Sequence, residues 1–257
     1  MKQQMLITLY KIEHSSCGSY LIKVSMRAVD VPIFNEDLFE GLTTEIKNFM
    51  EVENVYKKFK LDYKRGILLY GLPGNGKTCF IKHLLYSFDA ISIICDAKKE
   101  KDLCFISEFL NDKNLRDCLK IIVLEDIDGI DSYVRSKFLN LIDGVTTLNK
   151  VLFIATSNDP KNLDHALTNR PSRFDSLYEI ESPNTKTRLD LFKRFFPKES
   201  AEHLNIAIEK TKGFRGAHFK EIFLISKLYE CSFLEAVEKL NVKFKDFKEY
   251  TNQNYLG

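Results

Sequence analysis

The stretch Ile67-Leu-Leu-Tyr-Gly-Leu-Pro-Gly-Asn-Gly-Lys-Thr78 constrains this chain more than any other. A short apolar run breaks into a glycine-rich turn and then into a helical pattern. Gly71, Gly76, Lys77 and Thr78 satisfy the spacing G-x-x-x-x-G-K-S/T in the strand-to-helix context that the spacing requires. A loop that wraps a polyphosphate must reach positive φ and bring bare N–H groups up to an anion, which glycine permits. Gly71, Leu72, Pro73, Gly74, Asn75, Gly76, Lys77, Thr78 and Cys79 are therefore the candidate nucleotide-contacting set. Lys77 is expected across the β and γ phosphates, and Thr78 is expected to offer its hydroxyl to a magnesium ion. The helix starting there points its dipole and free amides at the negative charge.

After this loop the chain alternates strand and helix, the order a parallel sheet with crossover helices demands. Apolar runs at Ala90–Cys95, Lys120–Leu124, Val151–Thr156 and Ser176–Ile180 join the loop's own strand to predict five strands, with helices over 77–88, near 102–111 and near 131–142. The run Ile121-Ile-Val-Leu-Glu-Asp-Ile-Asp128 ends in acids, which places Glu125 and Asp126 at the carboxyl end of a strand, where ligands bind in open α/β sheets. One such carboxylate organises hydrated magnesium and its neighbour polarises an attacking water, so both are candidate metal and catalytic residues. They are expected to face the phosphate loop from the next strand. Asp128 and Asp131 read as helix-capping acids. A third run, Val151 to Thr156, leads through Ser157 to Asn158, whose amide both donates and accepts and so can hold a water against the γ phosphate.

Taken in order along residues 35–230, these stretches resemble an AAA ATPase. Leu163-Asp-His-Ala-Leu-Thr-Asn-Arg-Pro-Ser-Arg-Phe-Asp175 and Gly213-Phe-Arg-Gly-Ala217 add to the likeness. Within the family, the ATPase module is most similar to the mitochondrial respiratory-complex III assembly chaperone group, through Phe49, Tyr56, Tyr63-Lys-Arg-Gly66, the Glu-Asp order of the acids and Phe138-Leu-Asn-Leu-Ile-Asp-Gly144. That group's membrane helix and large N-terminal region have no counterpart, so its biological task is not carried over.

The resemblance implies a P-loop NTPase fold, a five-stranded parallel sheet sandwiched by helices and followed by a small helical lid, with ATP and Mg2+ held between them. It implies that Glu125 takes the place of the usual magnesium-organising aspartate and Asp126 that of the catalytic glutamate. This inversion leaves open which acid activates water. It puts Asn158 at the first sensor and Arg170 and Arg173 at the paired arginine-finger positions, which reach across a subunit boundary. A homo-oligomeric ring, most simply a hexamer, acting on an unknown protein client is implied in turn. At the second sensor only Arg215 lies nearby, and Asp96–Asp102 lacks the aromatic residue with which protein-threading relatives grip polypeptide.

Length and composition fit one large domain with a companion: 257 residues, 44% hydrophobic. The expected divisions are 1–33, a hairpin-like segment with strands at Met5–Ile12 and Tyr20–Met26, then 34–182, the α/β ATPase domain, and 183–257, the lid. Asn35 to Lys60 carries a helical period, and helices are expected over 187–196, 201–210, 216–229 and 233–240, with Phe244, Phe247 and Tyr250 packing on that bundle. With 38 basic against 36 acidic residues, no whole-molecule field favours nucleic acid. Lys57, Lys58, Lys60, Lys64 and Arg65 do form a basic cluster. Six cysteines without a C-x-x-C pair argue against a disulfide framework or a metal cluster, and Cys95 and Cys104 read as small buried hydrophobes. No run approaches the roughly 18 apolar residues of a membrane helix. The start lacks the marks of a secretory or transit peptide, which predicts a cytoplasmic protein.

The function expected is Mg-dependent ATP hydrolysis coupled to remodelling of a protein or complex. Two alternatives stand beside it: a nucleotide-gated scaffold or regulator with little turnover, suggested by the Glu-Asp inversion, and a DNA-directed loader or initiator, suggested by the basic cluster with Lys243, Lys245 and Lys248.

Overall fold

The computed structural model describes residues 8–25, 31–35, 38–115, 117–143, 148–159 and 173–254, with side chains to 243. The chain divides into two compact units, residues 1–32, 36–73 and 77–180 in the first and residues 33–35, 74–76 and 181–257 in the second.

The first unit is built on one sheet. Strands β3 (Tyr63–Tyr70), β4 (Ile91–Asp96), β5 (Lys120–Glu125), β6 (Asn149–Ser157) and β7 (Ser176–Glu179) are the five expected ones. Their crossover helices are α3 (Lys77–Ser87), α4 (Glu100–Leu110) and α5 (Ser132–Asp143). β5 is buried from Lys120 to Leu124 and β6 from Val151 to Ser157, as strands covered on both faces must be. The sheet is wider than five strands. The hairpin β1 (Thr8–Ser15) and β2 (Gly18–Lys23) continues it, with β1 parallel to β4, giving the order β2-β1-β4-β5-β6-β3-β7. Met5 to Ile7 and Met26, included in the expected strands, lie outside the described residues.

The order corrects one expectation. β5, which carries the acids, does not neighbour β3; β6 lies between them and pairs with both. All three are parallel, so their carboxyl ends share one edge.

The helical stretch ahead of β3 is two helices, α1 (Leu38–Glu51) and α2 (Glu53–Phe59), broken at Val52 and ended by Lys60 in the left-handed region at φ 55°. α1 buries Leu42, Ile46 and Phe49. Phe49, Tyr56 and Tyr63 then form one aromatic cluster, with Tyr63 4.7 Å from each of the other two ring centroids and its hydroxyl donating to the Phe49 carbonyl at 2.7 Å.

The second unit is helical: α6 (Thr185–Phe195), α7 (Ala201–Lys210), α8 (Gly216–Leu228) and α9 (Phe233–Asn254). Caps mark the starts. Asn184 accepts from the Thr187 amide at 2.9 Å, Ser200 from the His203 amide at 3.1 Å, and Ser232 and Glu235 satisfy each other's backbone amides. Phe192 and Phe219 sit at the centre of the bundle, 4.8 Å apart. α9 outruns its expected end at Leu240 because no glycine or proline interrupts 233–254. The side chains of Phe244, Phe247 and Tyr250 lie outside the described set. Ile33 packs on this bundle, and the Asn35 side chain accepts from the Asn184 amide and the Thr187 hydroxyl, which anchors 33–35 to the start of α6.

Two positions in the first unit show how tightly β3 is held. A Cβ at Gly66 would lie 1.8 Å from the Arg173 carbonyl oxygen, so only glycine admits that crossing backbone. The Gly66→Ala variant is expected to lose about 1–3 kcal/mol of stability, measured by urea unfolding. Further along, the Glu45 carboxylate accepts from Arg65 Nε at 2.8 Å and from the Ser176 and Tyr178 hydroxyls at 2.6 Å each. Burial alone would raise its pKa, but these three donors outweigh burial and hold it below the ordinary 4.5. A depressed carboxylate contributes stability that is present above 4.5 and lost as pH falls through the folded-state value. Wild type is therefore expected to lose stability to acid below pH 4.5 more steeply than Glu45→Gln, as read from unfolding free energies across that range.

Candidate functional site

In the first unit the phosphate loop leaves β3 at Gly71, with φ 138°. Its amide donates to the Ser157 carbonyl at 3.2 Å, and a Cβ there would sit 2.4 Å from the Ile180 carbonyl oxygen. The loop is thus seated between the ends of β6 and β7, and glycine is obligatory at its first position. Leu72, Pro73, Thr78 and Cys79 are exposed, while Lys77 is buried and turns its ammonium back onto the carbonyls of Gly71 at 2.5 Å and Leu72 at 3.2 Å. A buried cation on the loop's own carbonyls is positioned to exchange them for phosphate oxygens.

The acids stand on the other side of β6. Glu125 closes β5, half-buried, in register with Asp96 of β4. Asp126 takes the left-handed conformation at φ 48°, and its amide donates to the Thr156 hydroxyl at 2.9 Å. Its carboxylate accepts from Asn158 Nδ2 at 2.8 Å, so the structure brings two of the expected residues together. Asp131 caps α5 by accepting from the Tyr133 amide at 3.0 Å, as its sequence position suggested. Asp128 does not cap a helix: it accepts from the Ser157 hydroxyl and the Asn158 amide, both at 2.6 Å. Thr156, Ser157 and Asp128 were not in the candidate set, and no local spacing could have found them, because their contacts cross between strands whose register the sequence does not state.

In the second unit, Gly74 and Gly76 also have positive φ, at 84° and 103°. The Gly74 carbonyl accepts from the Ala217 amide at 2.9 Å, a Cβ at Gly74 would lie 3.8 Å from Arg215 Cδ, and one at Gly76 would lie 3.1 Å from the Phe34 ring. Asn75 is buried and donates to the Ser182 hydroxyl at 3.3 Å. The turn at 213–217, flagged by sequence for a second sensor, is therefore in contact with loop residues 74–76. Its geometry is set by His218, whose Nδ1 accepts from the Arg215 amide at 2.8 Å; burial, then the charge of Arg215, pushes this imidazole below 6.5 and keeps it an acceptor.

Arg170 lies outside the described residues, as does the rest of 160–172. Arg173 is buried, and its guanidinium makes a two-pronged pair with Asp143, Nε and one terminal nitrogen at 2.8 Å from the two carboxylate oxygens. That hydrogen bonding, against the opposing pull of burial, raises its pKa further. The basic cluster at 57–65 is largely engaged internally. Lys57 pairs with Glu53 at 2.6 Å, Arg65 with Glu45 at 2.7 Å, and half-buried Lys64 donates to the Ile142 carbonyl. The loop after β4 is a closed turn: Asp102 accepts from the Asp96 amide at 3.0 Å and from His14 at 2.7 Å, tying the hairpin to α4. All six cysteines are free thiols; Cys95 is buried, which pushes its thiol pKa up, whereas Cys104 is exposed, contrary to its apolar sequence surroundings, because it lies on the outer side of α4.

The donor set suits Mg2+. Among the described residues no cluster of three or more His, Cys, Asp or Glu side chains could hold a metal, so a protein cage is absent there. A threonine hydroxyl and carboxylates are hard oxygen donors of the kind that bind Mg2+ through one or two protein ligands, with phosphates supplying the rest.

A parallel sheet with a glycine loop at the end of one strand and acids two strands away defines a P-loop nucleotide-binding module. Residues 67–182 match the model of the ATPase family associated with various cellular activities (AAA). The chain is 29% identical, over 84% of its length, to a putative cell division cycle ATPase of Plasmodium falciparum, of which it covers 19%. It is 28% identical, over 75% of its length, to Protein SAV of Sulfolobus acidocaldarius, covering 27%, and 26% identical, over 85% of its length, to the proteasome-activating nucleotidase of Saccharolobus solfataricus, covering 65%. The chain thus spans less than two thirds of the length of these curated relatives. No helix among the described residues is long and apolar enough to cross a membrane.

The Arg173–Asp143 pair generates a test of its own. Removing one partner strands a buried charge, so Asp143→Ala is expected to destabilise the chain by about 3 kcal/mol, read by urea unfolding, and more than the Asp131→Ala cap removal.

Proposed function

We propose that the chain hydrolyses ATP with Mg2+ and couples the cycle to remodelling of a protein or protein complex. The observation that carries this is the shared anchor on β6: the Gly71 amide on the Ser157 carbonyl and the Asp126 amide on the Thr156 hydroxyl hold the phosphate loop and the acids to adjacent residues of one strand. Amides of 71–78 and the Lys77 ammonium bind the phosphates. Thr78 and Glu125 would offer oxygen donors to Mg2+, which would supply charge neutralisation at the phosphates. Asp126, oriented by the Asn158 amide, takes the proton of a water that attacks the γ phosphorus in line. The new P–O bond forms as the bond to the bridging β–γ oxygen breaks, giving ADP and phosphate.

Ring assembly, most simply a hexamer, is proposed in turn, supported by the family resemblance and by the arginine-finger positions that the resemblance implies. Arg173 is paired within its own chain, so reaching a neighbour would require opening the Asp143 contact. We therefore assign the finger role to Arg170 and an ion-pairing role within its own chain to Arg173. The finer likeness to complex III assembly chaperones stays a proposal about the module alone; its aromatic part, Phe49, Tyr56 and Tyr63, has a sufficient cause in packing. A cytoplasmic setting is likewise proposed. The nucleotidase relative is named for proteasome activation, and a protein client is the reading this favours here.

Steady-state phosphate release is the decisive measurement. Lys77→Ala and Asp126→Asn are each expected to reduce it at least about a hundredfold, the first through lost nucleotide binding and the second with binding retained. Wild-type protein that binds ATP but releases no phosphate above these variants would make the chain a nucleotide-gated scaffold instead.

A further inference from the structure

The acid turn and the sensor strand are joined at more points than the chemistry of either motif requires. Asp126, in its left-handed conformation, reverses the chain so that the Ile127 amide returns to the Thr156 carbonyl at 2.9 Å. The Ile127 side chain is buried in the core. The reversal lays the Asp128 carboxylate over the exit of β6, where it meets three consecutive residues: the Ser157 hydroxyl at 2.6 Å, the Asn158 amide at 2.6 Å and, more weakly, the Asp159 amide at 3.4 Å. Asn158, fixed in this way through its main chain, donates from its side chain to Asp126 at 2.8 Å. The contacts therefore close a loop, from Asp126 through the backbone to Asp128, across to Asn158, and back to Asp126.

We propose that Asp128 is a positioning residue for ATP hydrolysis: by fixing the main chain of Asn158 it sets where the Asn158 amide holds the Asp126 carboxylate. The inference rests on the roles proposed above for Lys77, Asp126 and Asn158. A carboxylate is needed because it only accepts and has two oxygens, matching donors that arrive from both a side chain and the backbone. An asparagine at 128 would keep one acceptor oxygen and turn an NH2 group onto a donor. The competing explanation is a turn held for stability alone, with no bearing on the reacting carboxylate.

The two are separated by a mutant cycle on the full chain, with kcat and KM for Mg-ATP, the affinity for a fluorescent ATP analogue and the melting temperature measured for each variant. Asp128→Asn is expected to lower kcat on the order of a hundredfold, the effect of a misplaced group rather than a lost one, while nucleotide affinity stays near wild type. In an Asn158→Ala background the same change should add little, because both act through one contact. Ser157→Thr, which keeps the hydroxyl, should retain turnover that Ser157→Ala loses in part. Equal losses from Asp128→Asn in both backgrounds, or a fall in affinity and melting temperature with kcat intact, would overturn the inference. Should Asp128→Asn fail to fold, the Ser157 pair measured in both backgrounds decides in the same way. Turnover that survives Lys77→Ala overturns the site reading and this inference together, whereas turnover abolished by Lys77→Ala yet indifferent to Asp128→Asn overturns the inference alone.

Discussion

The end of β6 is the constraint on which the site depends. A parallel sheet brings all its carboxyl ends to one edge, and the last residues of a central strand leave polar groups with no ladder partner. Thr156 and Ser157 are buried, so each unsatisfied group there would cost about 1–3 kcal/mol. The structure satisfies them with the phosphate loop and the acid turn. The Thr156 hydroxyl and carbonyl take the amides of Asp126 and Ile127, the Ser157 carbonyl takes the amide of Gly71, and the Ser157 hydroxyl finds Asp128. Satisfying the strand end and aligning phosphate loop with acids are one event, which makes β6 a ruler between them.

What could be read from the sequence follows from the range of the interactions involved. The phosphate loop is a contiguous pattern whose glycines answer to local conformation, and the strands are apolar runs whose burial on both faces shows in each run by itself. Strand order is another matter. β5 and β6 are alike in character, and nothing in either run says which lies beside β3, so the acids were expected one strand closer than they are. The Arg173–Asp143 pair joins residues 30 apart, and His14 reaches Asp102 across 88 positions; both couplings are invisible until the chain is folded.

Charge was the least legible property. Five basic residues between 57 and 65 read as a surface patch, yet Arg65 points into a half-buried network with Glu45, and Lys64 reaches the carbonyl end of α5, where burial lowers its pKa. Strand periodicity explains this. Lys64 and Arg65 lie on β3, whose alternation sends neighbouring side chains to opposite faces, so adjacent charges in sequence cannot act as one patch. The long aliphatic stems allow each head group to find an acceptor while the strand stays covered.

The order of the acids can be understood in the same physical terms. At position 126 the backbone stands at φ 48°, a region that aspartate tolerates better than longer side chains because its short polar group can compensate locally. The turn that returns Ile127 to Thr156 requires that conformation, so a short acid at 126 suits the backbone there. The lost methylene shortens its reach, and the Asn158 amide, itself tied down by Asp128, fixes the direction in which that shorter carboxylate is presented. Under this account the Glu-Asp order marks a different division of reach between side chain and backbone, and does not by itself argue for a silent nucleotide switch.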